Sequence, residues 1–216
     1  MTSNLNRLVL VRHGETDGNR QRIVQVPETP LNENGRAQAT RLGRRLGRDL
    51  AARRVALWTS DYQRARETAE PVLEALGLDP VVEPLLRERN FGELRGRTYQ
   101  SLDVDPFAPE YHPPNGESWE QFFDRVAGLW RKLEAVVEQR EIPADTLVVV
   151  THGLVLRALV ERHLGPNPGT EGEWRSEPWP NTAVTEVETT TNGLRFHRFA
   201  CTAHLETERD EASGMI

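Results

Sequence analysis

LVLVRHGETDGN, residues 8–19, opens on four apolar positions and turns abruptly polar at Arg12-His13-Gly14. A short, continuously apolar run followed by a glycine reads as a buried strand whose end opens into a loop. The pattern returns far along the chain, where TLVVV, residues 146–150, runs into Thr151-His152-Gly153. Two buried strands that both end in His-Gly loops mark one edge of a sheet. In open α/β sheets the carboxyl ends of the strands are where a ligand binds.

Helical patterns fill the sequence between these strands. Asn32 is placed to cap a helix over 33–52 that turns Ala39, Leu42, Leu46 and Leu50 inward. Residues 55–58 read as a second short strand, after which Ser60 or Asp61 caps a helix carrying Ala65, Ala69, Val72 and Leu76 and ending at Gly77. Ser118 and Gln121 have the spacing of a capping box ahead of a long helix with Phe122, Val126, Leu129, Leu133 and Val136 inward. A helix over 154–164 stops at Gly165, and residues 182–188 and 194–199 form a hairpin around Asn192-Gly193. Strands alternating with helices predict an α/β fold: three layers, a mostly parallel β-sheet flanked by helices on both faces. One domain is expected over 1–205, with an acidic, frayed tail over 206–216. Residues 103–117 and 166–180 read as loops, either lids and substrate walls or surface packing. The same two readings apply to Tyr111, His112, Trp119, Trp174 and Trp179.

Composition narrows the chemistry. The chain has 216 residues, a net charge of −6 and one cysteine, Cys201, which excludes an internal disulfide and multi-cysteine metal or iron–sulfur sites. Lys132 is the only lysine and lies deep in an amphipathic helix with no Gly-rich loop before it, so P-loop and Schiff-base chemistry are disfavoured. No apolar run reaches the length of a membrane span and the N-terminus lacks a signal-peptide pattern, so a cytoplasmic protein with no membrane partner is expected. Arg41, Arg44, Arg45 and Arg48 lie opposite the leucine face of their helix. With no interleaved aromatics and a negative net charge, this stripe reads as a solvated face, and no nucleic-acid partner is expected. Asp103-Val104-Asp105 precedes a proline and follows no strand, Thr207 stands where a cysteine phosphatase would place arginine, and no Gly-x-Ser-x-Gly elbow is present. No pattern speaks to an oligomeric state.

What remains is Arg12 beside His13, His152 on the second loop, and Arg64 in the first turn of a helix, where the dipole and free N–H groups favour an anion. Brought to one sheet edge, two guanidiniums, two imidazoles and a helix N-terminus form a pocket for a tetrahedral anion and repel a metal cation. At this point the chain resembles the histidine phosphatase superfamily, which includes the cofactor-dependent phosphoglycerate mutases. The resemblance is carried in order by LVLVRHGETDGN (8–19), TSDYQRARETA (59–69), LRERNFGELRG (86–96), NGES (115–118) and VTHG (150–153), and spans residues 8–188. It implies the family's phosphoglycerate mutase-like fold, no metal, no cofactor, and a small phosphorylated metabolite as partner. It also implies that His13 is the nucleophile that becomes phosphohistidine. Arg12, Asn19, Arg64 and His152 would bind the transferred phosphoryl group, and Glu88 would be the proton donor.

Those roles are chemically coherent. A neutral imidazole can approach a phosphomonoester that repels anionic nucleophiles, and nearby arginines lower its proton affinity. Glu88 must begin protonated, and burial beside a phosphate would favour that form. From its sequence neighbourhood alone, Glu88 could equally be an ion-pair partner of Arg87 or Arg89. Glu15 could orient an arginine or serve the turn. Gln25 resembles a family glutamine near the pocket mouth, although Val26 replaces the glycine that usually follows it. The mutases of the family carry a long insert with a lysine and paired arginines after the acid motif. Here Glu88 and Glu117 stand 29 positions apart, with no lysine and no adjacent arginine pair between them. The reading is therefore a phosphatase, with a phosphoglycerate mutase-type phosphotransferase and a catalytically silent phospho-ligand-binding module as alternatives.

Overall fold

Six strands form one sheet in the order β3-β2-β4-β1-β5-β6 in the computed structural model, which describes residues 6–139, 144–165, 179–190 and 193–206. Strands β1 (Arg7–Arg12), β2 (Val55–Thr59), β3 (Pro80–Val82) and β4 (Thr146–Thr151) are parallel; β5 (Val184–Thr190) and β6 (Gly193–Cys201) add an antiparallel edge. The register explains why distant motifs meet. Arg12 pairs with Thr151 across β1 and β4, so the next residue on each strand, His13 and His152, emerges at the same level of the sheet edge.

Side chains alternate across the central strands, and each set has its own helical cover. On one face Leu10, Leu147 and Val149 pack with Phe122, Val126, Leu129 and Leu133 of α4 (Trp119–Gln139) and with α5 (Gly153–Leu159). On the other, Val9, Val11, Val148 and Val150 meet Leu42 and Leu46 of α2 (Glu33–Asp49) and Ala65, Ala69 and Val72 of α3 (Gln63–Leu76). The three-layer α/β architecture expected from the alternation is the one observed.

The differences are local. Helix α2 ends at Asp49, with Leu50 as its C-cap, rather than running to residue 52. Tyr62 is the N-cap of α3 and makes no side-chain cap bond, whereas the Ser60 hydroxyl accepts from the Tyr62 N–H one step earlier. Helix α5 passes into a π-turn, Val160–Leu164, before Gly165. The Ser118–Gln121 box forms in both directions, at 2.9 and 3.1 Å. The exposed edge strand β3 and the single-turn helix α1 (Asp17–Arg20) have no sequence reading. Both are too short to carry a periodicity.

Arg45 corrects the reading of the arginine stripe. It is buried, with its guanidinium against the Cys201 carbonyl at 3.4 Å and the His204 ring at 3.1 Å. The turn Ala203–Leu205 folds back onto this flank of α2, a tertiary contact that helical periodicity does not encode. Trp174, most of loop 166–180, the hairpin residue Asn192 and all but the first residue of the tail over 206–216 lie outside the described residues. Among the described residues no helix is long and apolar enough to cross a membrane.

Candidate active site

The loop after β1 is held from three sides. The His13 N–H donates to the Thr151 carbonyl at 2.9 Å, the Gly14 N–H donates to Thr68 Oγ1 on α3 at 2.9 Å, and Asn181 Nδ2 donates to the His13 carbonyl at 2.9 Å. Helix α2 approaches so closely that a Cβ on Gly35 would stand 2.0 Å from the Glu15 carbonyl oxygen. Glu15 itself accepts from Asn32 Nδ2 at 2.9 Å, so it ties the loop to the cap of α2, the turn reading rather than the arginine-orienting one. Thr16 and Asn19 then form a reciprocal capping box for α1, which fixes Asn19 beside the loop.

This scaffold sets the tautomer of His13. Its Nδ1 lies 2.7 Å from the Gly14 carbonyl, which can only accept, so Nδ1 carries the proton and the lone pair sits on Nε2. Arg64 Nε donates to that lone pair at 3.3 Å, while Arg64 Nη1 is anchored on the Val26 carbonyl at 3.0 Å. Burial, followed by the charges of Arg64 and Arg12, holds the His13 imidazole well below its ordinary proton affinity. It is neutral at pH 7. His152, the N-cap of α5, is also buried and pushed toward the neutral form, first by desolvation and then by Arg64. Its Nε2 meets Ser60 Oγ at 2.9 Å, and its ring lies 5.2 Å from both the His13 and Tyr62 rings.

Three buried polar atoms here, Arg12 Nε, His152 Nδ1 and Trp179 Nε1, make no hydrogen bond among the described residues. Leaving such groups unsatisfied costs about 1–3 kcal/mol each. Arg12 is otherwise bound through Nη1 to the Trp179 carbonyl. Burial pushes Arg64 down to about 10, so it remains a cation at neutral pH.

Glu88 approaches from the segment after β3. The Thr151 hydroxyl donates to the Leu86 carbonyl at 2.7 Å and docks that segment on the sheet edge. The two Glu88 oxygens accept from the Arg89 and Leu154 backbone N–H groups at 3.0 and 3.1 Å. Burial raises its pKa, against the lowering effect of those two bonds and of Arg64 and Arg12. Neither neighbouring arginine is its ion-pair partner. Arg87 is paired with Asp61, and Arg89 donates to three carbonyls, Glu117, Pro106 and Tyr111, at 3.1, 2.9 and 2.7 Å. Arg89 thereby nails loop 103–117 against the site, a role its sequence context does not announce.

Arg12, His13, Asn19, Arg64 and Glu88 all line one cavity of about 600 Å³. His152 does not reach its wall and sits fully buried behind His13. Trp119 and Trp179 do line it, whereas Tyr111 and His112 do not, and they serve the loop instead through the Tyr111 carbonyl and a 3.2 Å contact from His112 Nε2 to the Gly116 carbonyl. Gln25 lies at the wall and accepts from Thr16 Oγ1 at 3.0 Å. Thr68 and Asn181 position the site without having been singled out from sequence, and Ser60, read there only as a helix cap, does so as well. Asn181 in particular follows a segment with no readable pattern. Among the described residues no group of three or more His, Cys, Asp or Glu is arranged to hold a metal ion. Lys132 is paired with Glu83, away from this cavity.

Known proteins share this framework. The chain is 36% identical over 172 residues to a metal-independent phosphoserine phosphatase of Arabidopsis thaliana, covering 74% of this chain and 69% of the relative. It is 31% identical over 166 residues to a 2,3-bisphosphoglycerate-dependent phosphoglycerate mutase of Bartonella henselae, covering 71% and 79%. The solved structure of a mycobacterial glucosyl-3-phosphoglycerate phosphatase in complex with VO3 superposes with a TM-score of 0.71 at 29% identity, over 91% of this chain and 99% of that one. The sequence model of the histidine phosphatase superfamily (branch 1) matches residues 8–202, from the first strand to beyond the last. With its two His-Gly loops side by side and its arginines at the same sheet edge, this chain belongs to the histidine phosphatase superfamily.

Proposed function

We propose that the protein is a metal-independent phosphomonoesterase that works through a phosphohistidine at His13. The observation that carries this reading is the tautomer. Nδ1–H is tied to the Gly14 carbonyl and the lone pair lies on Nε2, against Arg64 at the cavity wall. A nucleophile poised in this way needs no general base.

Nε2 attacks phosphorus and the ester P–O bond breaks. The Glu88 carboxyl, whose protonated form burial favours, passes its proton to the departing oxygen to give the alcohol. The imidazolium formed keeps its Nδ1–H on the Gly14 carbonyl, which shares the new positive charge. Arg64 and Arg12 stabilise negative charge on the phosphoryl oxygens, and Asn19 adds a donor. Phosphoryl oxygens compete for the Arg64 guanidinium, which frees the Nε2 lone pair it holds at 3.3 Å. Water then attacks the phosphohistidine, Glu88 takes its proton, and the P–N bond breaks to return neutral His13 and inorganic phosphate. His152, its ring 5.2 Å from that of His13, packs against the nucleophile and keeps the His13 ring in place.

The test is phosphate release from a panel of phosphomonoesters in excess EDTA, with 3-phosphoglycerate included. Chelator-resistant release is expected, together with an acid-labile phosphoryl adduct on His13 in quenched reactions. Loss of the adduct and of turnover in a folded His13→Ala variant is expected as well; turnover that survives this substitution rejects the mechanism. A mutase shares the first half-reaction, and isomerisation of 3-phosphoglycerate without phosphate release would identify it.

A further inference from the structure

We propose that the leaving group of the substrate is apolar, an aryl or alkyl chain on the phosphate, and that it seats among the aromatic side chains of the catalytic cavity. This rests on the phosphatase reading above. The charged groups of the cavity come from the end of β1 (Arg12), the first turn of α3 (Arg64), the acid segment (Glu88, Arg89), and α5 with the turn after it (Arg157, Glu161). The wall around them is built mostly by apolar side chains, among them Val24, Phe91, Phe107, Trp119, Phe123 and Trp179. Phe107 makes edge and tilted contacts with Phe91 and Tyr99 at 5.9 and 5.6 Å, yet remains 44% exposed. An aromatic left this open at the mouth of a site is a surface that a ligand can cover. Its loop is held, since Arg89 and the Trp119 indole N–H, which donates to the Ala108 carbonyl at 2.9 Å, bind it to the body of the protein. The wall is therefore preformed.

The neighbouring cleft makes the choice sharper. It is larger, about 930 Å³, shares Tyr62 and Glu88 with the catalytic cavity, and is lined by charged residues. A substrate with a carboxylate or second phosphate would need cations there. Of the four arginines there, Arg66, Arg87, Arg95 and Arg125, three are already engaged: Arg87 with Asp61, Arg125 with Glu117, and Arg95 with the Tyr62 hydroxyl at 2.8 Å. His13, Arg12, Asn19 and Arg64 border only the aromatic cavity.

Binding and turnover are read separately on the full chain. Calorimetry compares 3-phenylpropylphosphonate with 2,3-dihydroxypropylphosphonate, and kinetics compares 3-phenylpropyl phosphate with glycerol 3-phosphate, with p-nitrophenyl phosphate reporting catalytic competence. The two alkyl esters have leaving groups of similar basicity, so a difference reports the pocket and not intrinsic reactivity. Covering a phenyl ring predicts roughly tenfold to hundredfold tighter binding and higher kcat/KM for the phenylpropyl compounds. Phe107→Ala should shrink that ratio and Phe107→Leu should largely restore it. Equal or inverted affinities overturn the apolar seat. Selective binding of the phenylpropyl phosphonate with no hydrolysis of any ester, p-nitrophenyl phosphate included, upholds the seat and rejects the phosphatase reading instead.

Discussion

Glu88 shows what position does to a single side chain. Its pKa is raised because burial outweighs two backbone N–H bonds and two guanidiniums that all favour the carboxylate. Such a balance is useful to an acid that must later act as a base, since neither form is locked in. Glu88→Gln keeps the shape and removes the proton. On an alkyl phosphate, whose leaving alkoxide needs that proton, kcat/KM should fall by roughly 10²–10⁴. With p-nitrophenyl phosphate, whose phenolate departs unaided, the loss in the first step should be far smaller. Values of kcat/KM on the two esters, which cover the steps up to phosphohistidine formation and not its later hydrolysis, check this, and an equal loss on both would remove Glu88 from leaving-group protonation.

Elements place these residues, and the closest approach between elements is where α2 meets the nucleophile loop. Ala at position 35 would gain about 1 kcal/mol of helix propensity over glycine. Its Cβ, however, would stand 2.0 Å from the Glu15 backbone oxygen, which cannot swing aside as a side-chain tip would. Overpacking of this kind costs about 1–3 kcal/mol, so the clash wins. Gly35→Ala should lower the urea midpoint and, because Glu15 is two residues from His13, reduce kcat as well. An unchanged melt and rate would show that α2 can retreat freely. The strands and long helices were legible in the sequence because buried β-branched runs and leucine faces repeat over enough residues to signal their period. The candidate site was legible for a different reason: chemistry-bearing residues directly follow buried strands, and parallel pairing at common register brings such positions together. What was not legible depends on tertiary contact. Arg45 reads as solvent-facing until the turn Ala203–Leu205 lies against it, and Arg89 reads as a surface ion until loop 103–117 wraps its guanidinium. His152 has the motif of a wall residue, yet it is fully buried against Ser60, Tyr62 and His13 and does not line the cavity.

For the molecule as a whole, three histidines buried in neutral form make acid a global destabiliser. Desolvation leads in each case, reinforced by Arg64 and Arg12 at His13, by Arg64 at His152, and by Arg45 at His204, whose pKa is pushed down to about 4. In the unfolded chain each titrates near its ordinary value of about 6.5. The unfolded state therefore binds more protons than the folded one below that pH, and stability falls as pH falls. The loss begins near 6.5 and continues down through the folded-state values, about 4 for His204. Carboxylates act in a lower window. Asp61 and Glu117, held below their ordinary range with Arg87 and Arg125 as partners, lose their contribution only as they protonate in the folded state. Glu88, with its raised pKa, has the opposite sign: its contribution is present at low pH and is lost as pH rises through its folded value. Between about pH 6.5 and 5 the histidines should dominate, so urea unfolding free energy should decline steadily across that interval. His204→Gln retains an amide for Thr182 Oγ1, which His204 meets at 3.0 Å, but cannot take up a proton. Its pH dependence should be shallower than that of the parent chain by one titrating group. A parent whose stability is flat from pH 7 to 5, or a variant with an unchanged slope, would show that these rings carry protons in the folded state, and a protonated His13 could not attack phosphorus.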